Sequence, residues 1–473
     1  DYLSQVSGVT IELTSDTSHH PLIKIGQYYK ANMNLLESNT VAYWVDADEV
    51  IISGGSDQSI TNSVYAFLEN EIGVEFLAPD AEFIPTFKKG IPLPSNLAYT
   101  YSPPIDVRTV HSELFYSNPE FANKRRVSSK GFPGYAEGAR VHTFHRFVPA
   151  ADYYKSHPEY FALRNGKRIT TQLCLTNEAV LEIVKSRVGD LIKSDPNAKV
   201  ISVSQDDNTQ YCQCDQCEAI HTREESPAGS MINFVNEVAS AFPDIRISTL
   251  AYQYTRKAPE HIRPATNVIV TLCSIECDRS APINENCKAF TDDLVAWSNI
   301  TSNIRIWDYT TQFTNFLAPF PNIRTLKANI ELFVRNNAKW IFEQHSRNPS
   351  ELFELRSYVL AQLLWDPSQD LDSLITRFTN AYYEEAGVKV QDYITSVHDA
   401  MEQDSNFFLF LYGDPAQGFD TWLSRDQLTY YDGLFDDAEE LVGDKPDILD
   451  RIRAARLSVD FAILEYGRKE FSS

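Results

Sequence analysis

The chain has 473 residues, of which 43% are hydrophobic and 12% aromatic. It is too long for one ordinary core and too apolar to stay disordered, which leaves a folded chain of more than one unit. A formal net charge of -23 disfavours nucleic-acid phosphates and anionic membrane surfaces as partners, and no run of about 18 apolar residues is present to span a bilayer.

The chain opens at Asp1 without Met or a signal peptide, as a processed or trimmed chain would. Residues 1 to 100 read as a small α/β domain. Val9 to Leu13 alternates as a half-buried strand, and Pro21 to Leu36 reads as a helix. Val41 to Val45 and Val50 to Ser53 read as short strands. Val64, Phe67, Leu68 and Ile72 recur at helical spacing, so Ile60 to Ile72 is a helix stopped by Gly73. Val74 to Leu77 begins another strand. Gly54-Gly55 lacks the full phosphate-binding glycine pattern and reads as a strand-to-helix turn. Pro94 to Pro104 reads as a linker.

Over residues 101 to 365 strands and helices alternate. The candidate strands are Asp106 to Val110, Val141 to Phe147, Thr170 to Leu175, Lys199 to Val203, Ile245 to Leu250, Asn267 to Cys273, Asn303 to Trp307 and Lys339 to Phe342. Met231 to Phe242 and Lys288 to Trp297 are two of the helices between them. Eight such strands predict a (β/α)8 TIM barrel, with an open doubly wound sheet as the alternative. From Asp366 to Ser473 the pattern is helical, with Leu371, Leu374, Ile375 and Phe378 on one face. Val388 to Met401, Arg425 to Leu441 and Ile448 to Tyr466 follow suit. This C-terminal helical region is expected to pack on the barrel.

Several strands end in acids. Gln205-Asp206-Asp207 follows the fourth, Glu276 the sixth, Asp308 the seventh and Glu343-Gln344 the eighth. Such ends meet at one mouth of a barrel, and cleavage of a glycosidic bond takes two carboxyl groups across a sugar ring. Acids after strands also cap helices. Arg140, His142, His145 and Arg146 form a basic cluster able to hold hydroxyls or a sugar carboxylate. Tyr252, Tyr254, Trp307 and Tyr309 offer flat faces for sugar rings or, equally, core packing.

Cys212-x-Cys214-x2-Cys217, with His221 beyond, has some of the spacing of metal ligands but lacks two separated pairs. Disulfides or free thiols are expected there rather than a metal, and no cofactor is expected. With seven cysteines, at least one is free or pairs between chains.

Ser202-Val-Ser-Gln-Asp-Asp-Asn208 leading to Cys217 resembles a signature of a bacterial domain-of-unknown-function family of glycan-degrading loci. His142 to Arg146, Thr249 to Tyr254, Leu272 to Cys277, Ile306 to Thr310 and Phe342 to Gln344 are similar to its other motifs. That family is similar in turn to the α-glucuronidases and, more loosely, to the β-hexosaminidases. The resemblance implies a small N-terminal α/β domain before a barrel. It also implies Asp207 as proton donor and Asp308 and Glu343 as residues that position or activate water; Glu276, at the end of the sixth strand, is a rival donor. The α-glucuronidase donor is a Glu and the hexosaminidases carry Asp-Glu, where this chain has Asp206-Asp207. The expectation is an exported glycoside hydrolase, periplasmic, cell-surface or secreted, acting on an oligo- or polysaccharide, with uronic-acid-containing substrates among the candidates. Asp206 and Gln344 join the four basic residues and the aromatics as substrate contacts. The alternatives are a non-catalytic glycan-binding barrel of a polysaccharide-utilisation system and a metal-dependent enzyme using the cysteine loop.

Overall fold

The computed structural model describes residues 1–14, 21–28, 36–88 and 90–472. The N-terminal unit is a four-stranded sheet. Its strands are β1 (Leu22–Ile25), β2 (Val41–Asp46), β3 (Glu49–Gly54) and β6 (Ala98–Tyr101), in the order β1-β3-β2-β6. β1 runs parallel to β3, and β2 pairs antiparallel with β3 and β6. The helix Asp57–Phe67 begins at a capping box between Ser56 and Ser59 and packs on this sheet, where the Ser63 hydroxyl donates to the Ser53 carbonyl. A Cβ on Gly55 would collide with the carbonyl oxygen of Glu37, so glycine is needed for the chain to turn so close to itself. Beyond the helix, β4 (Glu75–Ala78) and β5 (Ala81–Phe83) form a small hairpin.

Three expectations change here. Val9 to Leu13 is not a strand: it pairs with no strand among the described residues, and Val9, Ile11 and Leu13 are exposed. The stretch expected as a helix from Pro21 contains β1 instead, because extended pairing with β3 satisfies its backbone; part of that prediction, residues 29–35, lies outside the described residues. The expected linker from Pro94 contains β6, whose Tyr99 ring stacks on Tyr43 at 4.7 Å.

The second unit is built on a parallel sheet. It comprises β7 (Val107–Val110), β10 (Val200–Ser202), β11 (Arg246–Ala251), β12 (Val268–Cys273), β13 (Ile304–Tyr309) and β14 (Ala338–Gln344). The order is β10-β11-β12-β13-β14-β7, so the first strand of this sheet pairs with its last, as in a barrel. Between β7 and β10 the ring is not closed by strands. Segment 128–139 lies there, with Ser128 N donating to Arg108 O and Ala136 N to Val200 O, both at 2.9 Å.

The two remaining predicted strands fall elsewhere. Val141 to Phe147 holds a helical turn, Phe144–Phe147, because His142 adopts φ of 52° and breaks the extended run. Thr170 to Leu175 falls largely in β9 (Lys167–Leu173), which forms an antiparallel hairpin with β8 (Phe161–Arg164) outside the main sheet.

Alternation divides the sheet residues between two environments. Ile201, Val203, Ile247, Val268, Val270, Leu272, Ile304, Ile306 and Ile341 join the core shared with the helices. Val200, Ile269 and Trp340 turn the other way, against Tyr135. Below the strand ends, the Arg305 guanidinium lies 4.6 Å from the Phe132 ring centroid and bonds the Tyr135 hydroxyl at 2.9 Å. A cation sandwiched among rings fills the inner space without a bare charge.

The C-terminal helices are Phe353–Trp365, Leu371–Tyr382, Gly387–Glu402, Arg425–Leu441 and Pro446–Ser472. The first is buried at every residue but Glu354. It joins the two units: Tyr358 donates to Glu75 at 3.1 Å, and the Arg125 guanidinium sits 4.5 Å over the Tyr358 ring.

Candidate functional site

A cleft of about 160 Å³ opens at the C-terminal ends of the parallel strands. Asp207 follows β10, Leu250 and Tyr252 lie at the end of β11, and Cys273 and Ile275 at the end of β12. Trp307 and Tyr309 come from β13, Gln344 from β14, and Val141 and His142 from the segment before the helical turn. Tyr412 enters from the C-terminal region. A wider groove near Arg108 and Arg126 lies at the opposite, N-terminal end of β7 and gathers none of these groups.

Asp207 is exposed to the cleft, and its Oδ1 accepts from Gln253 Nε2 at 3.5 Å. Burial, then the neighbouring Asp207 carboxylate, raise the Tyr252 hydroxyl above its ordinary range, so it remains a donor. Burial does the same to Tyr309 and pushes the Cys273 thiol up to about 12. Trp307 Nε1 donates to Gln344 Oε1 at 2.6 Å, which fixes that amide's orientation. His142 Nδ1 lies 2.7 Å from the Gln205 carbonyl oxygen. A carbonyl only accepts, so Nδ1 carries the proton, and in the neutral ring Nε2 is left as the acceptor. His142 holds this pose in a left-handed backbone conformation that non-glycine residues rarely adopt.

Of the four predicted carboxylates, Asp207 alone lines the cleft. Asp308 and Glu343 are register partners on β13 and β14, and each is 1% exposed. Trp307, Tyr309 and Gln344 line the cleft, so the period of two turns Asp308 and Glu343 to the opposite, helix-covered side. There Asp308 Oδ1 accepts from the Ser274 hydroxyl at 2.5 Å and faces Arg279 Nη2 at 3.4 Å. Neither Glu343 oxygen has a hydrogen-bond partner among the described residues. Burial, aided by the Asp308 charge, holds the Glu343 carboxyl well above the usual range and therefore protonated. Glu276 is partly exposed and paired with Arg256, whose Nε also bonds Asp293 at 2.7 Å.

Of the other expected contacts, Asp206 turns from the cleft to His145 Nδ1 at 2.5 Å. Burial raises its carboxyl, and His145 opposes that shift. His145, Arg140 and Arg146 are exposed outside the cleft, and Tyr254 stacks on Tyr211 at 5.0 Å. Asp207, His142, Tyr252, Trp307, Tyr309 and Gln344 are thus the predicted residues that meet. Tyr412 was not among them. The aromatic run from Phe407 was its signal, but the run's docking is tertiary: Leu409 N donates to Asp278 Oδ1 and Phe313 N to Leu411 O.

The cysteines divide into three sets. Cys277 and Cys287 form a disulfide, and Cys273 stands alone in the cleft. The sulfurs of Cys174, Cys212, Cys214 and Cys217 lie within 4.8 Å of one another. His221 is not with them; its Nε2 pairs with the Ser230 hydroxyl.

The sequence profile of a family described as Domain of unknown function (DUF4838) matches residues 76–395. No curated protein sequence matches the chain. Among solved structures, a family 89 glycoside hydrolase from Clostridium perfringens, in complex with its substrate GlcNAc-α-1,4-galactose, is similar at a TM-score of 0.52 and 10% identity, covering 93% of this chain and 57% of that one. A family GH115 4-O-methyl-α-glucuronidase with specificity for decorated arabinogalactans is similar at 0.50 and 9%, covering 91% and 62%. A β-N-acetylhexosaminidase from Bacteroides fragilis follows at 0.44 and 10%, covering 84% and 89%. The chain thus shares the fold of the first two glycoside hydrolases and spans less than two thirds of their length.

Proposed function

This chain belongs to the DUF4838 family, and we propose that it is an exported glycoside hydrolase whose proton donor is Asp207. The observation that carries this reading is Asp207 itself: a carboxyl group on a cleft walled by Tyr252, Trp307, Tyr309 and Tyr412 at the C-terminal strand ends. Sugar rings present flat C–H faces that pack on aromatic rings, and their hydroxyls need donors and acceptors. Tyr252 and Tyr309 supply protonated hydroxyls, and Gln344 an oriented amide. Asp207, when protonated, donates to the leaving glycosidic oxygen. His142 Nε2 accepts a proton from the attacking water or holds a sugar hydroxyl. Asp308 and Glu343 take no direct part; with Arg279 they brace the strand ends from behind.

The disulfide between Cys277 and Cys287 supports work in an oxidising compartment. For an α-glucuronidase-like specificity the residues lining the cleft offer a uronate hydroxyl and amide donors but neither arginine nor lysine, since Arg140, His145 and Arg146 lie outside it. The substrate panel therefore includes neutral and N-acetylated glycosides beside uronides.

A second reading, binding of glycans without cleavage, is favoured by a specific observation. Among the lining residues Asp207 is the one carboxylate, whereas hydrolysis ordinarily takes two. Incubation with the panel, followed by chromatography of the products, separates the two. Cleavage by wild type and its loss in D207N support the hydrolase. Oligosaccharides that bind wild type by calorimetry and stay intact support the binding protein.

A further inference from the structure

The four cysteines behind the acid-bearing loop have no part in the cleft. Cys174 follows β9, Cys212 and Cys214 lie in the loop after β10, and Cys217 sits in the first turn of the helix Asp215–Glu224. Their sulfurs all lie within 4.8 Å of one another, with Cys174 and Cys214 at 3.6 Å. Four thiolates around one zinc ion, at Zn–S of about 2.3 Å, stand about 3.8 Å apart, so the cluster needs only a small contraction to close on an ion. We infer that Cys174, Cys212, Cys214 and Cys217 form a tetrahedral zinc site that fastens the Asp206–Asp207 loop to the β8–β9 hairpin.

The surroundings suit thiolates. Leu163 N donates to Cys212 Sγ at 3.3 Å. The Thr176 hydroxyl lies 3.3 Å from Cys217 Sγ, 3.5 Å from Cys174 Sγ and 3.7 Å from Cys214 Sγ. Arg168 Nη1 is 4.0 Å from Cys212 Sγ. Zinc with four thiolates carries a net charge of about -2, and donors of this kind, one of them a guanidinium, offset it. Cys214 stands at the N-cap position and Cys217 in the first turn of the helix, where the positive end of the helix dipole also favours negative sulfur. Ala162, Leu163 and Ile169 close the apolar side. Ligands of sulfur alone select zinc or iron, and nothing about this loop calls for a redox centre.

The chemistry of the chain gives a second reason. Conditions that join Cys277 to Cys287 would also oxidise thiols packed this closely, unless their sulfur lone pairs are held by an ion. The placement gives the site its role. An isolated two-stranded hairpin is marginal by itself. This one also grips the loop through Gln172, which donates to Asp206 O at 2.7 Å and accepts from Asp206 N at 3.2 Å. Zinc at the loop's far end would fix both ends of the segment that carries Asp207. The role is structural and holds whether or not the cleft cleaves sugar.

Elemental analysis of the full chain, purified without chelator from zinc-supplemented medium, tests this together with a thiol count in denaturant and EDTA without reductant. One zinc per chain and five titratable thiols, the four ligands and Cys273, are expected. A single thiol and no zinc would mean two disulfides and would overturn the site; five thiols without zinc, or iron in its place, would do so equally. Because C174S or C217S could fail to fold, cobalt exchange gives an independent reading. The sulfur-to-cobalt charge-transfer and d–d bands of a tetrahedral tetrathiolate should appear, and they should persist in C273S, whose thiol count falls by one. Their absence from cobalt-loaded protein would refute tetrathiolate binding.

Discussion

The two faces of the same strand ends place neighbouring residues in different surroundings. In front, Trp307, Tyr309 and Gln344 meet Asp207 and His142 across a cleft. Behind, Asp308 and Glu343 sit with Ser274 and Arg279 in a site closed to solvent. Neighbouring residues on one strand thus meet opposite dielectric surroundings. An acid in front is free to exchange protons with a ligand; an acid behind is obliged to pair or to stay neutral.

Substitutions should separate the faces. The largest effect is expected from D207N, which should lower any glycosidase turnover by about 10²- to 10⁴-fold while shifting stability by less than about 0.5 kcal/mol, as for an exposed site. Turnover and thermal denaturation measured on one preparation check both halves. D308N should do the reverse. It leaves the Arg279 guanidinium buried without its anion, at a cost of about 3–5 kcal/mol in denaturant unfolding.

Glu343 gives a pH-dependent contrast. Its carboxyl is neutral in the fold and ionises more readily when unfolded, so its contribution to stability is complete at low pH and is lost as pH rises. Above the unfolded-state pKa of about 4.3, wild type should lose about 1.4 kcal/mol per pH unit from this group until the folded-state pKa is passed. E343Q mimics the neutral form. Melting curves from pH 4 upward should therefore show a shallower decline for E343Q than for wild type. The smallest effect is expected from W307F, which keeps a ring in the cleft but leaves Gln344 Oε1 without its donor. A loss of about 1 kcal/mol in oligosaccharide affinity by calorimetry is the expected reading.

Much of this architecture was legible in the chain. The helical spacing of Leu371, Leu374, Ile375 and Phe378 predicted the helix Leu371–Tyr382, and the late parallel strands fall where apolar runs placed them. The faces were legible too, but position along the strand was read without parity. If Trp307 and Tyr309 both enter the cleft, Asp308 between them does not, and Gln344 excludes Glu343 in the same way. His142 was predicted as a contact, but the turn that carries it hid: its left-handed backbone turns an apparent strand into a helical turn, and no propensity at a lone histidine announces that. The cysteine cluster was half visible. Cys212, Cys214 and Cys217 are close in sequence, while Cys174 comes from a hairpin that only the fold brings alongside.

Tyr412 has a genetic consequence. Asp207 and Tyr412 face one cleft but are encoded in distant stretches of the chain, and the loop that carries Tyr412 is held by buried Leu409 and Leu411 and by backbone bonds from Arg279 and Phe313. On the proposed function, replacement of that loop should alter ligand choice while the strand ends keep Asp207. Diversification within such a lineage should accumulate around residues 407–412 sooner than at Asp207.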